Sequence, residues 1–229
     1  MNNTLTFHIY QKKYEEYLKR LDERRDDITI YVTDLVGCYE KFAFNKKIPF
    51  FNYNDIFLHG DLIHEGITKI LKDIFGDKVE FNKTLTYEDT FPCKFRLKGV
   101  PDIIHHDWKE IIEIKSIVKI PQKPLEHHIK QLALYLALYE ATEGKEYNGR
   151  LVYISRDDFK EYVFDFRNLL GRLKGEGYIA SEIDYFISNK PCPRYEWECN
   201  YCPYREICQI KNLKAFNTPI TDLTDEEED

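Results

Sequence analysis

Hydrophobic positions recur along this chain with two periods, helical and alternating. In residues 8–26, Tyr10, Tyr14, Tyr17, Leu18 and Leu21 share one stripe among charged neighbours, which predicts a surface helix. ITIYV (28–32) is a short run rich in β-branched residues and predicts a strand. Thr33 or Asp34 then stands where a cap is needed for a helix containing Cys38. Asn54 or Asp55 caps a longer helix with apolar positions Leu62, Ile63, Ile67, Ile70, Leu71 and Ile74, and Gly76 is a suitable residue to end it. Segments 78–88, 94–104 and 109–119 read as consecutive strands, the last two joined by the turn HHDW. PLEHHIKQLALYLALYEATEG predicts a helix from Pro124 to Gly144. It is apolar almost all round from Leu132 to Tyr139, so it belongs in the interior. Strands at 149–155 and 159–166 and a helix over 167–188 complete the pattern, which is that of an α/β fold with a mixed central sheet.

Composition narrows the class. The 229 residues are 43% hydrophobic and 32% charged, which suits one large domain with its own core. No apolar run approaches the roughly 20 residues a membrane span needs, and the first 20 residues carry no secretory apolar segment. A soluble cytoplasmic protein without membrane partners is expected. The formal net charge is −7. Residues 222–229 hold six acids and no base, so the rest of the chain carries only −1. Such an end reads as a solvated, disordered tail. The near-neutral body requires that any affinity for nucleic acid come from a local groove or from bound metal.

Chemistry concentrates in KGVPDIIHHDWKEIIEIKS. Asp102 ends one predicted strand, and Glu113 and Lys115 are two apart on the next, hence on one face. If the strands pair through HHDW, Asp102 falls near Glu113, with Cβ atoms about 5 Å apart for directly opposite residues. Two carboxylates repel each other, and a hard cation such as Mg²⁺ or Mn²⁺ relieves the repulsion. Such an ion polarises a phosphodiester, and a neighbouring lysine can orient water or stabilise developing phosphate charge. The same alternation of Ile with Glu113 and Lys115 also suits an ordinary half-exposed strand. Two further pairs favour the chemical reading. GDLIHE sets Gly60 and His64 one helical turn apart, and Gln131 and Tyr135 are also at i and i+4, on the otherwise apolar helix. A buried Gln needs hydrogen-bond partners.

GxxxH, GxxD, ExK and QxxxY in that order resemble the RecB family of PD-(D/E)xK nucleases, and the likeness runs from about Val32 to Cys208. The resemblance implies a restriction-endonuclease-like core. It implies that His64, Asp102, Glu113 and the carbonyl of Ile114 bind Mn²⁺ or Mg²⁺, that Lys115 is catalytic, and that Gln131 and Tyr135 line the site.

Six cysteines in a chain without a secretory signal point to metal rather than disulfides. Cys199, Cys202 and Cys208 form C-x₂-C-x₅-C, and three clustered thiols lack a fourth ligand, for which Cys38 and Cys192 are candidates. Cys93 reads as a small buried apolar residue. Spacing alone leaves zinc and an iron–sulfur cluster open. One early cysteine with C-x₂-C-x₅-C at the end is similar to the CRISPR-associated Cas-four exonucleases. That resemblance implies a 4Fe–4S cluster on Cys38, Cys199, Cys202 and Cys208. The expected organisation is an N-terminal helix (1–27), a nuclease domain (28–190), a cysteine-rich segment (191–212) and an acidic tail (213–229). The expected function is metal-dependent exonuclease action on single-stranded or free-ended DNA, 5′ to 3′ with some internal cutting, with CRISPR integrase proteins as partners. A DNA-binding or repair accessory protein of the same fold is the alternative.

Overall fold

The computed structural model describes residues 4–23 and 26–208. The expected acidic tail and the end of the cysteine-rich segment lie outside them. The chain opens with α1 (Leu5–Glu23), β1 (Thr29–Tyr31), α2 (Val32–Leu35), α3 (Tyr39–Lys47) and α4 (Asp55–Phe75). There follow β2 (Val79–Phe81), β3 (Leu85–Asp89), β4 (Phe95–Gly99), β5 (Ile103–His105) and β6 (Glu110–Ser116). Then come α5 (Glu126–Glu143), β7 (Asn148–Ile154), β8 (Phe159–Phe164), α6 (Phe166–Leu170) and α7 (Gly175–Asn189).

The strands form two sheets. One has five strands in the order β2-β5-β6-β7-β8, and the other three in the order β1-β4-β3. In the larger sheet β6 and β7 are parallel and every other pair is antiparallel, so the expected mixed α/β architecture is present. The parallel pair requires a crossover, and α5 supplies it. That helix lies between the sheets, which is why Lys130 to Tyr139 are all buried. Its approach is close on both sides. A methyl group on Gly99 of the small sheet would come 2.8 Å from a Leu138 methyl carbon, and one on Gly149 of the large sheet 2.8 Å from a Leu132 methyl carbon. The main core gathers here, with Leu132, Leu134, Leu136, Leu138, Ile111, Leu151, Leu97, Ile179 and Phe186 among its members.

The opposite face of the large sheet holds a smaller core of Val79, Ile103, Ile112, Ile114 and Val152, covered by Ile67, Leu71 and Phe75 of α4. Alternation along β6 thus divides it: Ile112 and Ile114 point to α4, while Ile111 points to the main core. Asn54 caps α4, its side chain accepting from the amides of Ile56 and Phe57, and Gly76 follows its end at φ 56°. Leu62, Ile70 and Ile74 of the predicted apolar stripe remain exposed, because α4 has a partner on one side only.

Three predicted elements are broken, each at an identifiable residue. Segment 78–88 splits into β2 and β3 around Asn82, whose φ is 51°. Segment 94–104 splits into β4 and β5 at Val100–Asp102, where Pro101 has no amide to donate, and its halves join different sheets. The helix over 167–188 divides into α6 and α7 after Gly171, whose φ is 63°. Cys38 is not inside a helix. It is the residue before α3, in the turn that follows α2. Among the described residues no helix is long and apolar enough to cross a membrane.

Candidate active site and cysteine centre

β5 ends its pairing with Ile103 opposite Ile112. The next residue back, Asp102, therefore lies beside the unpaired edge of β6 near Glu113. Its Oδ2 accepts a hydrogen bond from the Ile114 amide at 2.7 Å. In a strand the amide and carbonyl of one residue point to the same side. The Ile114 carbonyl thus faces the same edge as the Asp102 carboxylate. On its other oxygen, Asp102 meets His64 Nδ1 at 3.2 Å. Gly60 makes this reach feasible: a methyl group there would lie 3.2 Å from Ser116 Oγ, so α4 comes close to the end of β6 one turn before His64.

Glu113 is buried on the opposite side of the same spot. Its Oε1 accepts from Lys115 Nζ and from Gln131 Nε2, each at 2.8 Å. Lys115 also donates to Gln131 Oε1 at 2.8 Å, and Gln131 Nε2 donates to the Tyr135 hydroxyl at 2.9 Å. The structure thus brings together all seven predicted residues: His64, Asp102, Glu113, Ile114, Lys115, Gln131 and Tyr135. The second oxygen of Glu113 is buried without a hydrogen-bond partner. Burial, and secondarily the charge of Asp102, push the Glu113 carboxyl up to about 7, against the opposing pull of Lys115. The Asp102 hydrogen bond holds the His64 imidazole above its usual range. Burial raises the Tyr135 hydroxyl well above its ordinary value.

These features suit a divalent cation. A buried carboxylate with an unused oxygen is costly unless a positive charge meets it. Its neighbours are a second carboxylate, a carbonyl and an imidazole, the oxygen and nitrogen donors hard and borderline cations take. Among the described residues no group of three or more His, Cys, Asp or Glu is preset to hold a metal ion. The carboxylates are instead taken up by Lys115 and His64.

The cysteines form a second centre. Cys38, Cys192, Cys199, Cys202 and Cys208 all line one pocket, together with Lys41, Phe44 and Tyr204. Both candidates for the fourth ligand are therefore present. Cys38 and Cys192 touch, Sγ to Sγ 2.9 Å. The contact with Cys192 draws the Cys38 thiol down, and the same contact drives the Cys192 thiol up. Burial, followed by the charge of the neighbouring thiols, raises Cys199. Zinc and iron–sulfur clusters both take thiolate donors, but among the described residues no three of these cysteines are arranged to hold a metal, so the expected iron–sulfur subdomain is not shown. Cys93 is half-buried rather than buried, and it lies outside this pocket.

No spacing or motif points to the residue that joins the two parts of this cysteine group. Glu198 is buried, and its Oε1 accepts from the Cys38 amide at 2.9 Å. Its Oε2 accepts from the amides of Arg194 at 2.7 Å and Tyr195 at 2.9 Å. Arg194 adds a second tie, donating to the Leu35 carbonyl at 2.6 Å.

Comparison with known proteins bears on the family and the fold. Residues 63–209 match the PD-(D/E)XK nuclease superfamily, a span that includes every predicted site residue except Cys38. The chain is 31% identical over 214 residues to the CRISPR-associated exonuclease Cas4 of Saccharolobus solfataricus, covering 90% of this chain and 98% of that protein. The crystal structure of SSO0001 superposes with a TM-score of 0.77 at 30% identity, over 92% of this chain and 98% of the other. A protein from Eubacterium rectale shares the fold more distantly, with a TM-score of 0.51 at 13% identity over 93% of this chain and 98% of that one. With a shared fold and near end-to-end similarity, the chain belongs to the PD-(D/E)XK nuclease superfamily and, within it, to the Cas4 family of nucleases.

Proposed function

We propose that this nuclease is an exonuclease that degrades DNA from free ends, with single strands as its preferred substrate. The observation that carries the reading is the buried, unpartnered oxygen of Glu113 beside Asp102 and Lys115. Nucleases of this superfamily use divalent metal ions. Asp102, Glu113, His64 and the Ile114 carbonyl are the residues that would hold Mn²⁺ or Mg²⁺ here. When bound, the ion supplies a Lewis acid for the phosphodiester. The chain's own groups do the rest. Lys115 is pinned between Glu113 and Gln131, so its ammonium is fixed where negative charge develops on the phosphate. Tyr135 accepts from Gln131 and so holds the amide that orients Lys115.

Cys199, Cys202 and Cys208 with Cys38 would hold a 4Fe–4S cluster, and Cys192 is the competing fourth thiol. The cluster would act as a staple between chain segments about 160 residues apart rather than as a redox centre. The similarity to a CRISPR-associated exonuclease favours a role in trimming DNA ends before integrase proteins capture them as spacers. The expected polarity is 5′ to 3′, with some internal cutting.

The test uses linear and circular single strands of equal length with Mn²⁺. The linear strand should be degraded and the circle spared, and equal loss of both would overturn the exonuclease reading. Protein purified without oxygen should contain iron and acid-labile sulfide; zinc in their place would remove the cluster from the account. Cys38→Ala should lose the cluster. Its loss in Cys192→Ala alone would move the fourth ligand.

A further inference from the structure

The metal-and-lysine centre occupies one face of α5, and that face continues past the residues already assigned. His127, Gln131 and Tyr135 follow one another at four-residue spacing, so they share a stripe, each step about one helical turn of 5.4 Å. Gln131 and Tyr135 face Glu113 and Lys115. His127 sits one turn nearer the start of the helix, and the charge of Lys115 reaches both it and His128.

An aromatic group from the cysteine segment meets that end of the stripe. The His127 ring centroid lies 4.9 Å from Trp197 and 5.5 Å from Tyr195. Tyr195 and Trp197 are stacked, 6.0 Å apart with planes 8° from parallel. Their environments differ. Tyr195 is 8% exposed and serves as an anchor, while Trp197 is 43% exposed. A large indole left open beside a phosphodiester-cleaving centre has a face to offer. Burial, and secondarily Lys115, push the His127 imidazole down to about 4, so it presents a flat neutral ring at neutral pH.

We propose that Trp197, backed by His127, is a base-stacking step that holds one unpaired base of a DNA single strand beside the catalytic centre. The inference rests on the nuclease reading and deepens it by naming a substrate contact. The occupant is single-stranded because the faces of bases inside a duplex are already covered by their neighbours, whereas unpaired bases stack on aromatic side chains. Trp197 stands two residues before Cys199, so the cysteine segment brings a substrate contact to a centre built by other elements. Loss of the cysteine centre would then weaken strand binding before it affects the lysine and carboxylates.

The test is equilibrium binding of labelled oligo(dT) to the full-length protein carrying Lys115→Ala, with Mn²⁺ present. One nucleotide at a time is replaced by an abasic residue. One position should lose about tenfold in affinity on losing its base, the value of a single base–aromatic stack. Trp197→Ala should lose about the same and should no longer sense that position, while Trp197→Phe should restore both. Parent-like affinity in Trp197→Ala, or weaker binding that still senses the same abasic position, overturns the proposal. Iron content is measured for each variant. Should Trp197→Ala lose its cluster, His127→Ala takes its place, since it stands on α5 outside the cysteine segment. It should lose about threefold at that same position, and an unchanged abasic profile overturns the proposal. A flat abasic profile in protein that binds and, with Lys115 restored, cuts DNA overturns this inference alone. Protein that binds no DNA overturns the nuclease reading with it.

Discussion

Replacing Glu198 tests whether the cysteine centre is assembled by the protein itself. Its carboxylate accepts three backbone hydrogen bonds, from Cys38 on one side and from Arg194 and Tyr195 on the other. Glu198→Ala leaves three buried donors without their acceptor. Each costs about 1–3 kcal/mol when unpaired. Water entering the vacated space would recover part of this, so the low end of the range applies, about 3 kcal/mol in total. For a chain of this size, each kcal/mol lowers the melting temperature by about 2–4 °C, so a fall of roughly 6–12 °C is expected. Glu198→Gln keeps the volume but has one acceptor oxygen. Turned toward Arg194 and Tyr195, it presents its NH₂ to the Cys38 amide and strands one donor, for about a third of the effect. Circular-dichroism melts of the two variants and the parent, prepared side by side without oxygen, measure this, and the iron content of each sample shows whether the centre survives. Equal melting of Ala and Gln, or an Ala variant within about 2 °C of the parent, would refute the reasoning.

Other expectations follow from the same contacts. Gln131→Ala should fold normally yet cleave roughly 10–100-fold more slowly, because Lys115 loses the amide that orients it; unchanged cleavage would remove Gln131 from the site. Gly175→Ala would put a methyl 2.2 Å from the Ala137 carbonyl oxygen, where α7 crosses α5, and should cost about 1–3 kcal/mol in a denaturant melt. Burial lowers His127 to about 4 and His128 to about 2, while an unfolded chain protonates both near 6.5. The unfolded state therefore binds more protons, so this stability is present above pH 6.5 and is lost as the pH falls toward 4. Denaturant midpoints across that range should fall less in a His127→Gln, His128→Gln double variant than in the parent.

The site was more legible than the framework around it. Two-residue and four-residue spacings fix which side chains share a face, so Glu113 with Lys115 and Gln131 with Tyr135 could be paired from the sequence. The Asp102 position beside β6 survives the break of its strand: Pro101 divides 94–104 in two, yet the turn before β6 returns Ile103 opposite Ile112 and leaves Asp102 on the Ile114 amide. The splits at Asn82 and Gly171 depend on residues entering left-handed backbone, which hydrophobic period does not reveal. Glu198, Arg194 and the ring contact of His127 with Trp197 are not legible in the sequence, because they join segments far apart in it, where no spacing rule applies. Exposed Leu62, Ile70 and Ile74 show the converse, apolar positions at helical period that the fold leaves uncovered.

The central claim is that Asp102, Glu113 and Lys115 form the cleaving centre, and one comparison tests it most directly. End-labelled single-stranded DNA is incubated with Mn²⁺ and either the parent protein or Lys115→Ala, each first shown to be folded and to have equal metal content. The parent should cut, and the variant should retain its fold and the parent's metal content while losing nearly all cleavage. Equal cutting by the two proteins, or none by either, would contradict the account.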